Sequence, residues 1–261
     1  MNVLFVGDIF GKPGRFVIQN YLSKIIEELG IDVCIANGEN VAGGKGITEK
    51  TARKLFDGGI DVFTGGNHLW DKKDSLNYIA EEKRILKPIN YPSAALGARY
   101  FIKTISENNK LAIVSLIGQA FIASVDSPLF SLEKILPELY EHTNKILVDF
   151  HAEATAEKRA LGLYFDGKIS AFLGTHTHIQ TADEEILPNG TAYITDVGMT
   201  GPHDSVIGIK KEIIFEKIKT GMPQRYETAQ NGLQLNAVFL KIDDESGKAL
   251  EIKRIKRKYN D

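Results

Sequence analysis

The chain has 261 residues, of which 43% are hydrophobic and 25% charged, with a formal net charge of -2. Those shares are those of an ordinary globular protein, and the charge provides no global positive field to recruit nucleic acid or an anionic membrane. A single cysteine, Cys34, excludes an internal disulfide, no run approaches the roughly 20 apolar residues of a membrane span, and no leader-like segment precedes the first strand. The expectation is a soluble, cytoplasmic protein with no membrane role.

Residues 2–6 (NVLFV) form an apolar run that delivers Gly7-Asp8, the pattern of a buried strand with a carboxylate at its carboxyl end. After Gly11-Lys12-Pro13-Gly14 the period changes. Phe16, Val17, Tyr21, Leu22, Ile25, Ile26 and Leu29 recur at helical spacing, and Gly30 stops the helix. A second strand over 33–36 ends in Asn37-Gly38-Glu39-Asn40, so the opening is a βαβ unit with a parallel sheet and a right-handed crossover. A glycine-rich loop over 41–46 leads to Thr48, the N-cap of a helix over 51–56. A third strand over 61–64 then delivers Gly65-Gly66-Asn67-His68. Three successive strands end in polar residues, and in open α/β sheets ligands sit outside the carboxyl ends of the strands.

Beyond lie a helix over 71–82 with Leu76 and Ile79 inward, and a Pro- and Gly-bearing surface connection over 87–98. Strands over 100–105 and 111–116 flank a hairpin signal at 106–110. A long unpatterned loop spans 117–130, and Ser131 caps a helix running to about Tyr140. A strand over 146–150 ends in His151, and 155–164 is helical. An apolar strand over 169–173 is followed by Gly174-Thr175-His176-Thr177-His178, where continued strand geometry puts both imidazoles on one side. Strands over 184–187 and 192–195 flank Pro188-Asn189-Gly190, a glycine-containing loop covers 196–202, a short helix covers 210–219, and 235–242 with 250–255 form a closing hairpin. No repeat, low-complexity tract or linker divides the chain. Residues 1–261 therefore read as one α/β domain, its two sheets mixed in strand direction and packed together with helices outside.

The polar residues at the strand ends are Asp8, Glu39, Asn40, Asn67, His68, His151, His176 and His178. Each has an innocent role available: Asp8 as a helix cap, Asn67 in a turn, His151 as a satisfied core histidine. Together they are hard to explain that way. Buried carboxylates and imidazoles crowded at one edge stay unpaired unless something positive sits among them, and a pair of divalent ions meets that need with mixed O/N ligands.

On these residues the chain resembles the calcineurin-like metallophosphoesterases, through GD at 7–8, Glu39-Asn40, GGNH at 65–68, His151 and GTHTH at 174–178. More narrowly it resembles their bacterial YmdB-like phosphodiesterase branch, through GDIFGKPGR at 7–15, NGENVAGGKGIT at 37–48, GGNHLWD at 65–71 and DVGMTGPHDSVIG at 196–208. Phe10 stands where the wider superfamily carries a histidine, and Glu39 replaces its bridging Asp; both departures are features of the narrower branch. The resemblance implies an α-β-β-α sandwich and two metal ions, Fe²⁺ or Mn²⁺. It implies that Asp8, Asn40 and His178 hold the first ion, Asn67, His151 and His176 the second, and Glu39 both, with His68 as proton donor. The implied substrate is a small phosphodiester, a 2′,3′-cyclic nucleotide or a related RNA-derived diester.

Other readings stay open at this level. A regulatory protein binding a nucleotide or RNA with little turnover would keep the same ligands, and a phosphomonoesterase would need more cations than Arg15 in the motif loops. Lys12 and Arg15 suit substrate phosphate or ordinary surface charge equally. The glycines at 43, 44, 46, 198 and 201 suit either phosphate approach or tight turns. The basic run 253–258 suits an edge strand guarded by lysine better than an RNA contact. The oligomeric state is open, a homo-oligomer included.

Overall fold

The computed structural model describes residues 1–107 and 109–259; Asn108, within the hairpin signal at 106–110, lies outside the described residues. The first half runs β1 (Asn2–Val6), β2 (Asp8–Ile9), α1 (Gly11–Leu29), β3 (Val33–Asn37), α2 (Glu49–Asp57) and β4 (Val62–Thr64), then a 3₁₀ turn (Lys73–Ser75) leading into α3 (Leu76–Glu81). It continues with β5 (Tyr100–Ser106), β6 (Asn109–Ile117), α4 (Pro128–Tyr140), β7 (Ile146–His151) and α5 (Thr155–Tyr164). The last part comprises β8 (Ala171–Thr175), β9 (Glu185–Ile186), β10 (Ala192–Ile194), β11 (Met199–Pro202), α6 (Lys211–Thr220), β12 (Leu233–Ile242) and β13 (Ala249–Lys258).

Two sheets result. One has the order β2-β11-β12-β1-β3-β4 with β13 on the other side of β12; the second runs β5-β6-β7-β8-β10-β9. Both mix directions: β1, β3 and β4 are parallel while β12 is antiparallel to β1, and β6, β7, β8 and β10 are parallel between antiparallel β5 and β9. Period-two alternation sorts the strand residues into layers. Val3 and Phe5 of β1, Val33 and Ile35 of β3 and Leu147 of β7 fill the space between the sheets. Leu4, Val6, Cys34 and Ala36 face the other way, against Val17, Ile18, Leu22 and Ile25 of α1 and Leu55 of α2. Val148 and Phe150 pack outward against Leu132, Ile135 and Leu139 of α4 and Leu161 of α5. The layers are helix, sheet, sheet, helix, as the sequence leads one to expect. Among the described residues no helix is long and apolar enough to cross a membrane.

Several expected boundaries move, for identifiable reasons. Helix α1 starts at Gly11 rather than after Gly14: Phe10 is extended, the Gly14 N–H closes onto its carbonyl at 3.0 Å, and Pro13 in the first turn has no N–H to lose. It ends as expected at Gly30, whose φ of 58° lets Ile31 N–H reach the Ile26 carbonyl at 3.0 Å. Helix α4 starts at Pro128, preorganised for a first turn, so Ser127 rather than Ser131 precedes it. The expected helix over 71–82 is a 3₁₀ turn and six residues of α3, with Ile79 buried and Leu76 only partly so. The connection over 87–98 is not simply superficial, since Lys87 and Asn90 are buried in it. The loop expected over 196–202 ends in strand β11, pairing with both β2 and β12. The basic run at 253–258 lies in β13, which pairs only with β12 and is thus an edge, in line with the guarded-edge reading.

The interruption between β1 and β2 places the first carboxylate. Gly7 N–H donates to Asn236 O and Asp8 N–H to Gly198 O, both at 3.0 Å, so the chain leaves β12 and joins β11 at this residue. A Cβ on Gly7 would overlap the Gly198 carbonyl oxygen. Gly7→Ala is expected to cost about 3 kcal/mol or more in urea titration, because backbone must shift. Gly221→Ala, at φ 67° but with open space around its Cβ, should cost only the left-handed strain of about 1–2 kcal/mol.

Candidate metal centre

The carboxyl ends of both sheets meet at one edge. Asp8 comes from β2, Glu39 and Asn40 from the turn after β3, Asn67 and His68 from the turn after β4, His151 from the end of β7, and His176 and His178 from the turn after β8. Asp8, Glu39, Asn40, His151 and His178 are buried, while His176 is partly exposed.

Three donor atoms converge on His151. Its Nε2 lies 3.2 Å from Glu39 Oε1, 3.2 Å from Asn67 Oδ1 and 3.0 Å from His176 Nδ1. One nitrogen carries at most one hydrogen and cannot satisfy three neighbours with lone pairs. The donor atoms of Glu39, His151 and His176 all lie within 4.8 Å of one another. Asp8 Oδ1, 3.8 Å from His151 Nδ1, and Asn40 Oδ1, on the residue after Glu39, are buried without a hydrogen-bond partner among the described residues. His178 Nε2 is 3.9 Å from Asp8 Oδ1, and Asn40 Nδ2 is tied to the Gly44 carbonyl at 3.1 Å. Orphaned oxygens beside an over-subscribed imidazole nitrogen are what an O/N site for divalent cations requires. Gly66 keeps this space open, since a Cβ there would collide with the Glu39 carboxylate and the His151 ring.

The charge state shows the same need. Burial alone would pull the His151 imidazole down, but Glu39, with its charge and hydrogen bond, and then Asp8 and Asp149 raise it to about 9. Burial pushes Glu39 up, yet His151 and the His68 N–H bring it down to about 2. His176 is pushed down to about 3 by burial and by His151, and burial raises Asp8. The buried carboxylates draw a positive charge to the centre of the cluster.

Each histidine is anchored through its other ring nitrogen, which turns a lone pair inward. His151 Nδ1 meets Thr175 Oγ1 at 3.0 Å, His176 Nε2 meets Glu153 Oε2 at 3.1 Å, and His178 Nδ1 meets the Ile207 carbonyl at 3.0 Å. His68 sits differently. Its backbone N–H donates to Glu39 Oε2 at 2.8 Å, and its Nδ1 meets Asp71 Oδ2 at 3.0 Å, leaving the ring partly exposed.

The expectation that His176 and His178 share one side of a continued strand is wrong. Strand β8 ends at Thr175, and φ is 100° at His176 and 66° at His178. A tight turn brings them to the cluster from different directions. It is pinned by Lys158 and Asp196, both fully buried: the ammonium donates to Asp196 Oδ2 at 2.8 Å and Thr175 O at 2.9 Å, while Asp196 accepts from Thr177 N–H at 3.0 Å.

Sequence reasoning passed over a second set of residues. Thr175 donates to Asp149 Oδ1 at 2.7 Å, and Asp149 Oδ2 accepts from Thr64 at 2.5 Å and Asn37 Nδ2 at 3.0 Å. Asp149 thereby links β7 to β8 within one sheet and to β3 and β4 of the other, directly behind His151. Burial raises it to about 6 despite His151 and these hydrogen bonds. The signal was a carboxylate inside the apolar run ILVDFH, where burial demands partners. Arg15 resolves as a brace whose guanidinium donates to the Val41 carbonyl, and Gly43, Gly44, Gly46 and Gly198 have positive φ, as tight turns require.

A family model described as YmdB-like protein matches residues 4–255. A 2′,3′-cyclic-nucleotide 2′-phosphodiesterase of Bacillus subtilis (strain 168) is 44% identical over 256 residues, covering 98% of this chain and 96% of its own. A hypothetical protein from Thermus thermophilus has a structure matching at a TM-score of 0.92 and 38% identity over 99% of each chain. A structure described as a novel phosphatase from Mycoplasma pneumoniae matches at a TM-score of 0.94 and 34% identity, over 100% of this chain and 94% of that one.

Metal binding and folding should be linked here. Mn²⁺ at about a hundred times its dissociation constant is expected to add roughly 2.7 kcal/mol to the stability of metal-stripped protein in urea titration, and Glu39→Gln to remove most of that gain. Lys158→Met, which leaves Asp196 buried without its partner, should cost about 3–5 kcal/mol.

Proposed function

The chain belongs to the YmdB-like family, and from that premise we propose that it is a phosphodiesterase working with two divalent metal ions, Fe²⁺ or Mn²⁺. Its substrates are 2′,3′-cyclic nucleotides or related RNA-derived diesters. The observation that carries the reading is the pair of buried oxygens without partners among the described residues, Asp8 Oδ1 and Asn40 Oδ1, at the strand ends that also bring Glu39, Asn67 and His176 onto His151 Nε2. The Bacillus relative, by its name a 2′,3′-cyclic-nucleotide 2′-phosphodiesterase, supports the substrate class.

Asp8, Asn40 and His178 would hold one ion, Asn67, His151 and His176 the other, and Glu39 both. Ions held there supply Lewis-acid charge at the phosphoryl group and make water a stronger nucleophile at neutral pH. Glu39 limits the positive charge at the centre and, through its Oε2, fixes the His68 backbone. Hydrolysis adds water across one P–O bond. The attacking oxygen comes from water, and the ribose oxygen that leaves takes a proton from His68 Nε2, which the proton released by that water restores. Donation from Nε2 uses the imidazolium form of His68, in which Asp71 accepts from Nδ1–H at 3.0 Å and Nε2–H is left for the transfer.

Metal-stripped protein refilled with Mn²⁺ should cleave bis-p-nitrophenyl phosphate well above p-nitrophenyl phosphate; cleavage of neither ester by metal-loaded protein would sink the proposal. His68→Ala is expected to lower kcat on 2′,3′-cyclic AMP by roughly 10²–10⁴-fold with metal content unchanged. The same variant should lose far less on bis-p-nitrophenyl phosphate, whose nitrophenolate leaves without needing a proton.

A further inference from the structure

A cavity of about 650 Å³ lies between the segment 87–99 and the first turns of α4. Its lining includes Tyr91, Arg99, Asp126, Ser127, Phe130 and Lys134. The link to the centre is direct. Trp70, in the loop that carries Asn67 and His68, packs its ring edge-on to Tyr91 with centroids 4.8 Å apart, and its Nε1–H donates to the Leu96 carbonyl at 3.0 Å. Burial and then the charge of Glu39 raise the Tyr91 hydroxyl, so that ring lies within the field of the centre's carboxylate.

The wall opposite α4 is built to keep its shape. The Lys87 ammonium donates to the carbonyls of Pro92 at 3.3 Å, Ser93 at 3.1 Å and Ala95 at 2.5 Å. Asn90 donates to Ile117 O at 2.8 Å and Asp126 O at 3.0 Å, and accepts from Ile117 N–H at 3.0 Å. Ile117 is the last residue of β6 and pairs with His151. A hollow of ligand size, braced by buried polar clamps and open at its mouth, is the form of a preorganised binding site.

Its chemistry selects the occupant. Tyr91 and Phe130 provide two aromatic rings, Phe130 being 69% exposed. Arg99 and Lys134 bring positive charge against the one carboxylate of the lining, Asp126, although Arg99 is also held by Glu138 at 3.3 Å. Aromatic faces with nearby cations are the recognition chemistry of single-stranded nucleic acid, bases stacking and phosphates meeting the cations.

We propose that this cavity binds the nucleotide preceding the one that carries the cyclic phosphate, so that the preferred substrate is the 3′ end of an RNA oligonucleotide rather than a free mononucleotide. The inference rests on the phosphodiesterase reading above. The preceding base stacks on Tyr91 and Phe130, and the phosphodiester joining it to the terminal nucleotide meets Arg99 and Lys134.

The test compares kcat/KM of the Mn²⁺-loaded protein on 2′,3′-cyclic AMP and on the adenosine dinucleotide ending in a 2′,3′-cyclic phosphate. The dinucleotide should be favoured about tenfold or more, and Phe130→Ala and Arg99→Ala/Lys134→Ala, all at exposed side chains, should each bring the ratio of the two values close to one. A dinucleotide advantage that is missing, or that survives both variants, overturns the subsite while leaving the phosphodiesterase standing. Failure to cleave either nucleotide or bis-p-nitrophenyl phosphate overturns both.

Discussion

Desolvated negative charge at the ends of the strands is the constraint on which the rest of this structure depends. Asp8 and Glu39 are withdrawn from water by the packing of two sheets, and the residues around them provide too few donors: Asp8 Oδ1 and Asn40 Oδ1 have none. Removing an ion from water costs several kcal/mol even after relaxation, and only good partners recover it. The protein alone answers this only in part, by turning His151 Nε2 toward Glu39, Asn67 and His176 together. A divalent cation would complete such an arrangement, and its loading would then share one equilibrium with stability.

Such an arrangement persists only if its parts cannot relax apart, and two braces prevent that. Asp149 ties β7 to β3, β4 and β8, so the sheets cannot slide without breaking hydrogen bonds directly behind His151. Lys158 and Asp196 hold the turn after β8, where His176 and His178 adopt positive φ that side chains rarely take. Backbone in such regions costs of order 1–3 kcal/mol per residue and survives where the surroundings over-determine it. A buried ion pair is weak evidence for net stability. Its role here is geometric, fixing two imidazoles that strand geometry alone would misplace.

The parts of this molecule legible in the sequence are those where one period dominates. NVLFV, the helix after it and the run before His151 announce themselves because burial on one or two faces leaves a regular pattern. The strand ends were legible too, since polar residues clustered after apolar runs have few places to be. What escaped was decided by tertiary pairing. Strand β2 (DI) is too short and β11 (MTGP) too rich in Gly and Pro to read as strands, and they exist because Gly7 lets the chain cross to a new partner. The turn at His176 escaped for a related reason: positive φ is announced by glycine or asparagine, not by histidine held in place from behind. Asp149 was visible but unread, a charge in an apolar strand whose partners lie 26 to 112 residues away.

The two departures from the wider superfamily find a common physical account at the same edge. Phe10 is buried with its ring edge-on to His178, centroids 5.5 Å apart, so hydrocarbon occupies the position of an added imidazole. The backbone has been cleared for that ring, since a Cβ on Gly44 would come within 3.0 Å of it and one on Gly208 within 2.6 Å. Glu39 extends one methylene further than aspartate from its turn, and Gly66 leaves room for the longer carboxylate where a Cβ would strike it. Each substitution is thus matched by missing side chains opposite. The glycines at 44, 66 and 208 and the side chains at 10 and 39 therefore fit one another as a set.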